Sequence, residues 1–164
     1  MDQACDIKVS VSTEALDANN ACGFVTDPAN GAIDMFIGVV RDNHLGQTVT
    51  GITYDVHETL AERELMCICR EAQGIWPKTR YFVSHYHGYL PVGGVSVLIA
   101  VSAPHREESF EACRYVIEEI KKRAPVWKKE HYVGGESEWL PGHSLVMQGE
   151  EEQAVCCGKC GAHG

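Results

Sequence analysis

The chain has 164 residues, 45% of them hydrophobic and 23% charged, and a net charge of -9. That length suits one domain with a sizeable core, and the composition excludes disordered, collagen-like and coiled-coil classes. No apolar run approaches the roughly 20 residues of a membrane helix, and the opening MDQACDIKVS lacks a signal-like apolar stretch, so a soluble, cytoplasmic protein with no membrane partner is expected.

The elements alternate in type. Ile7, Val9 and Val11 alternate with polar residues as a first strand, and Glu14 to Val25 is weakly helical until Asp27-Pro28 and Asn30-Gly31 break it. AIDMFIGVVR, residues 32–41, is apolar and β-branched and predicts a buried strand. A turn over 42–46 follows, with Thr48 to Val56 as the hairpin partner. Glu58 to Ile75 predicts a helix with Leu65, Ile68, Cys69 and Ala72 on one face, and Pro77 forbids its continuation. Arg80 to His87 reads as an alternating strand, 88–94 as a turn, and Val95 to Val101 as a central strand. A second long helix is expected from Arg106 to about Arg123 with Phe110, Cys113, Ile117 and Ile120 as its core stripe, ended by Ala124-Pro125. Short strands are expected at 128–133 and 138–140 around Gly134-Gly135. One α+β domain thus spans residues 1–140, followed by a Cys-rich extension over 141–164.

Charge placement points to chemistry. An acidic chain argues against nucleic acid as a partner, yet Lys121, Lys122, Arg123, Lys128 and Lys129 crowd one short stretch, which suits a small anionic substrate. Clustered ammonium groups lower one another's pKa and make a lysine competent near neutral pH, whereas Lys122 and Arg123 read as a solvated helix end. His105 and Arg106 precede Glu107 and Glu108 at a helix start, where the dipole opposes cations unless an anion sits between them. Gly38 inside an apolar strand marks a bulge or close approach, and Arg41 at that strand's end offers a fork for phosphate or carboxylate. No phosphate loop, dinucleotide fingerprint, nucleophile elbow or zincin motif occurs.

Metal is not expected in the body. His85 and His87 share a strand face but lack a third placed ligand, and Cys113 reads as core. In the extension, Cys156, Cys157, Cys160 and His163 supply enough thiolate and imidazole for Zn²⁺ or Cu⁺, but no apolar residues for a dry shell, so an accessory role is the most they support.

Three stretches together resemble the large, catalytic subunit of molybdopterin synthase, the MoaE family. They are FIGVVRDNHLGQTV, VSAPHREESFEACRYVIEEIKKRAPVWKKE and GESEW, and the resemblance covers roughly residues 5–140. It implies an α/β-hammerhead fold, mostly antiparallel with two long helices, and a homodimer within a heterotetramer. The partner implied is a small ubiquitin-like sulfur carrier of the MoaD type, whose C-terminal Gly-Gly thiocarboxylate enters a pocket on this subunit. The activity implied is a sulfurtransferase reaction of molybdenum cofactor biosynthesis, two sulfur transfers converting cyclic pyranopterin monophosphate to the molybdopterin dithiolene. Carried over by position, Arg41, His105 and Arg106 would bind substrate and Lys121 and Lys128 would be the catalytic amines, with no cofactor required. Where members carry an arginine shortly after the tryptophan equivalent to Trp139, this chain has Pro141, Gly142 and His143. A binding module that docks a carrier without catalysis and a metal-handling protein are the competing classes; retention of both Lys121 and Lys128 favours the enzyme.

Overall fold

The structure, a computed structural model, describes residues 6–137 and 139–141. In chain order the elements are β1 (Ile7–Ser12), α1 (Ala18–Val25), β2 (Ala32–Val39), β3 (Asn43–His44), β4 (Gln47–Val56), α2 (Glu58–Ile75), β5 (Arg80–Tyr86), β6 (Gly88–Pro91), β7 (Val95–Ala103), α3 (Arg106–Arg123), β8 (Val126–Tyr132), β9 (Gly135–Glu136) and β10 (Leu140–Pro141). One sheet has the order β1-β5-β7-β2 and the other β10-β8-β4-β3, with β6 added to β4 and β9 to β8. Among the described strands only the β1–β5 pair is parallel, so the fold is α+β and mostly antiparallel.

Two layers of helix sandwich the first sheet. Tyr81 and Val83 of β5 with Val97, Ile99 and Val101 of β7 face α2 and α3, while Phe82, Leu98 and Ala100 face Ala21 and Val25 of α1. Burial on both faces explains why β5 is buried from Tyr81 through His85 rather than alternating, as its sequence suggested. The expected face of α2 holds: Leu65, Ile68, Cys69 and Ala72 are all buried, and a fully buried Leu or Ile contributes about 1.5–3 kcal/mol.

Several expectations need correction. α1 starts only at Ala18, where the Asp17 carboxylate caps it by accepting from Asn19 N–H at 2.8 Å. The strand at 48–56 exists, but its partner is not β2. β4 pairs with β8 and β6 in the second sheet, and its tight hairpin is with β3, through Leu45 and Gly46, which both take positive φ as a primed turn requires. β2 pairs instead with β7, at the edge of its sheet, and leaves Ile33, Ile37 and Val39 exposed where a buried strand was expected. In α3 the core stripe is Ser109, Ala112, Cys113, Val116 and Ile120, which fixes a helical phase that turns Phe110 outward, 59% exposed. The turn expected at 88–94 contains β6, and β8 starts at Val126, two residues earlier than expected. Cys156, Cys157, Cys160, His163 and His143 lie outside the described residues.

Arg123, expected to be a solvated helix end, instead clamps α3 to α2. Its Nε donates to Glu64 at 2.5 Å, and Nη1 and Nη2 donate to the two Glu71 oxygens at 2.6 and 3.0 Å. The hydrogen bond from Arg123 holds the Glu71 carboxyl below the usual carboxylate range. A carboxyl whose pKa falls on folding adds stability above its unfolded pKa, about 4.3, and loses it as pH drops through the folded value. Arg123→Ala is therefore expected to cost about 1 kcal/mol at neutral pH, a modest figure because Glu71 is partly screened by water. Urea unfolding of both proteins should show that difference shrinking as the pH is lowered through the carboxylate range.

Candidate active site

Pro125 stops α3, so Lys121 sits in its last turn and the chain reverses into β8. There Lys128 is in register with Tyr54 of β4, and Glu130, two residues on, points to the same side as Lys128. On the first sheet, β2 shifts register between Gly38 and Val39 and leads to Arg41. A cavity of about 170 Å³ lies between these elements, lined by Arg41, Tyr54, Ser96, Lys121, Lys128 and Glu130 together with Asn43 and the apolar residues of β2 and β7. Gly38 makes room for it: a Cβ there would stand 2.6 Å from Val97 Cγ1, and Ser96 Oγ donates to the Gly38 carbonyl at 3.2 Å.

The two lysines are in different electrostatic states. Lys121 is open to solvent on one side but crowded by protein on the other. That partial desolvation, with the Lys128 charge second, holds its pKa below the ordinary lysine value. Lys128 is instead ion-paired, its Nζ 3.3 Å from the carboxylate of Glu130, which is only 3% exposed. Burial pushes the Glu130 carboxyl up, but the Tyr132 hydroxyl that donates to it, the Lys128 charge and His44 at 3.8 Å together hold it below the usual range. The same bond pushes the Tyr132 hydroxyl up to about 12. Burial likewise raises Tyr54.

His85 belongs to the floor beneath this site. Its Nδ1 lies 2.8 Å from the Tyr86 carbonyl, its ring packs edge-on against Tyr54 at 5.4 Å, and burial pushes its pKa down to about 4, so it is neutral at pH 7. His87 lies beyond β5 and faces Asp55 and Glu58 at 3.7 and 3.8 Å. Among the described residues no three His, Cys, Asp or Glu side chains are arranged to hold a metal ion.

Of the five residues expected at the site, Arg41, Lys121 and Lys128 line one cavity. His105 and Arg106 do not join them. Both are exposed at the start of α3, where His105 is the N-cap residue but makes no side-chain capping bond. Fifteen residues at 1.5 Å rise put Arg106 roughly 22 Å from Lys121. Sequence reading missed Glu130, Tyr54 and Ser96. The strand period was the available signal for Glu130, since a carboxylate two residues after a lysine shares its face.

This pairing of a carboxylate-held lysine with a second lysine of lowered pKa sits within a stretch that has relatives. Residues 11–123 match the MoaE protein family. The chain belongs to the MoaE family. It is 43% identical to the molybdopterin synthase catalytic subunit of Synechococcus elongatus over 142 residues, 86% of each chain. It is 40% identical to molybdopterin synthase catalytic subunit 1 of Aedes aegypti, over 80% of this chain and 86% of that one. Among solved structures, molybdopterin synthase from Staphylococcus aureus superposes with a TM-score of 0.77 at 33% identity, covering 80% of this chain and 95% of that one. Arg41, Lys121 and the His105-Arg106 turn all fall inside the MoaE match, while Lys128 and Glu130 follow it directly.

The electrostatics of the pair are testable. Lys128→Met removes the neighbouring charge while keeping much of the side-chain volume. The Lys121 pKa should then rise toward the ordinary lysine value, followed by NMR titration of ¹³C-methylated lysines. A Lys121 titration unchanged by the substitution would show that burial alone sets its pKa.

Proposed function

We propose that this protein is the catalytic subunit of a molybdopterin synthase, a sulfurtransferase that converts cyclic pyranopterin monophosphate to the dithiolene of molybdopterin. The observation that carries the reading is the convergence of Arg41, Lys121 and Lys128 on one cavity in a protein of net charge -9. Three cations around one small cavity fit a phosphorylated substrate, and a lysine of lowered pKa fits proton transfer beside it. The catalytic domain is residues 1–140, with 141–164 as an extension.

Among the described residues no cysteine lines the cavity. Cys69 and Cys113 are buried, and burial pushes both thiols up to about 12, which removes them as nucleophiles at neutral pH. The sulfur comes from a partner, a small ubiquitin-like carrier of the MoaD type ending in a Gly-Gly thiocarboxylate. In each of two transfers the substrate carbon exchanges an oxygen for the carrier's sulfur and the carrier leaves as a carboxylate. Lys121 moves the proton, while Lys128, fixed by Glu130, and Arg41 hold the developing and resident negative charge.

His105 and Arg106 enter this reading through a second copy of the chain. A phosphorylated pterin spans on the order of 10–12 Å, about half the roughly 22 Å between the two ends of α3. A homodimer that sets the His105-Arg106 end of one protomer beside the Lys121-Lys128 end of the other completes each site.

Two measurements test the assignment. With thiocarboxylated carrier and cyclic substrate, Lys121→Ala is expected to lower dithiolene formation by about 10²–10⁴-fold without unfolding the protein; activity within about threefold of the parent would remove Lys121 from proton transfer. Mixing inactive Arg106→Ala with inactive Lys121→Ala should restore part of the activity, because a mixed dimer holds one site with both residues intact. A mixture that stays inactive despite demonstrated subunit exchange would exclude the shared site.

A further inference from the structure

Ser137, in the GESEW segment, does not line the cavity but grips a residue that does. The Glu130 N–H donates to Ser137 Oγ at 3.1 Å, and the Ser137 N–H donates to the Glu130 carbonyl at 3.0 Å. The Glu130 side chain is held as closely. Residues 128, 130 and 132 of β8 share one face, so Lys128 and Tyr132 flank the carboxylate. Each carboxylate oxygen has its own partner: the Tyr132 hydroxyl donates to Oε2, and Lys128 Nζ lies 3.3 Å from Oε1. His44 of β3 stands 3.8 Å from Oε1, and Arg41, Tyr54 and Lys121 are the other charged or titratable groups that line the same cavity.

Tyr132 stands between that cavity and a second space. Its ring packs against Val40, Val49, Ile52 and Leu90, and it also lines an open groove of about 550 Å³ with Gln47, Thr48 and Ser137. Its place is set by the β8–β9 hairpin, in which Tyr132 is in register with Gly135, whose φ of +140° suits glycine. The groove is wet, whereas Glu130 is only 3% exposed. A carboxylate with one paired oxygen would turn its other oxygen toward the groove water and away from Lys128. A donor on Oε2 removes that freedom, and a hydroxyl whose pKa is pushed up to about 12 keeps its proton throughout the neutral range.

We propose that Tyr132 is a positioning residue of the reaction: its hydroxyl holds Glu130 Oε2, so that Oε1 stays on Lys128 and fixes that ammonium in the cavity beside Lys121. The proposal rests on the reading of Lys121 and Lys128 as the reacting amines. Tyr132 does not line their cavity and acts through Glu130, with Ser137 holding the main chain behind the carboxylate.

The test begins with Tyr132→Phe, which keeps the ring in its apolar cluster and removes only the hydroxyl, so circular dichroism should be unchanged. With thiocarboxylated carrier and cyclic substrate, kcat is expected to fall on the order of 10-fold with KM within about threefold of the parent. Titration of ¹³C-methylated lysines supplies a readout that needs no turnover. With Glu130 drawn off Lys128, the less compensated Lys128 charge should push the Lys121 titration further down. Both effects should vanish in a Glu130→Leu background, where adding Tyr132→Phe should change kcat by less than about twofold and leave the lysine titrations in place. Replacing Tyr132 with 4-aminophenylalanine, which keeps a donor on the ring, should recover most of the activity. A Tyr132→Phe protein with kcat within about twofold of the parent, an unmoved Lys121 titration, an equal loss in the Glu130→Leu background, or no recovery with 4-aminophenylalanine overturns the proposal. A wild-type protein that forms no dithiolene overturns the synthase reading instead, and the titrations then decide the hold of Tyr132 on Glu130 by themselves.

Discussion

An 18-residue helix laid along an eight-residue edge strand is the constraint on which the arrangement of charge depends. The helix cannot bend enough to bring its ends together, and its core stripe from Ser109 to Ile120 fixes it against the sheet. Every cation on its first turn is therefore held away from every cation on its last. The last turn is completed within the protomer, because Pro125 sends the chain back into β8 and returns Lys128 beside Lys121. The first turn has no such return: His105 and Arg106 face solvent.

Within the cavity, one buried carboxylate divides the labour of two lysines. Glu130 is expensive to bury as a charge, and it is stabilised by the Tyr132 hydroxyl and the Lys128 ammonium, with His44 3.8 Å away, rather than by water. By pairing with Lys128 it lets a second ammonium come close without prohibitive repulsion, and the remaining repulsion falls on Lys121, which has lost part of its hydration. A lysine pair without Glu130 would repel more strongly and order less well. The neutral His85 beneath Tyr54 adds no further positive charge to this crowded region.

What the sequence made legible follows from how local each signal is. α2 was readable to the residue and α3 to about a residue at its end, because a 3.6-residue period and a proline stop are carried within the segment itself. Pairing was not. Apolar runs at 32–41 and 48–56 flank turn residues, which looks like a hairpin, but β4 finds its main partner in β8, more than 70 residues later in the chain, and nothing local to β4 records that. Phe110 was misplaced for a related reason: an aromatic at a helix start fits two neighbouring phases, and only packing against β2 and β7 chooses the one led by Ser109 and Ala112. Of the site, the lysines and Arg41 stood out as charge clusters or strand-end cations, whereas Tyr54 and Ser96 come together only through sheet register and carry no pattern of their own.

The error about β2 is the most informative of these. Its composition says interior, since a strand with five strongly apolar residues and one charge ordinarily lies between two others. Its topology says edge. The two statements disagree within one chain, because β2 has a single strand neighbour, β7, among the described strands. β5 and β7 satisfy the same composition inside the protomer, under helices on both faces. β2 satisfies it only on the α3 side and along β7. Selection for solubility of a free edge would have placed a lysine there, as β1 has one. Its absence leaves β2 apolar along an edge that, among the described strands, pairs only with β7.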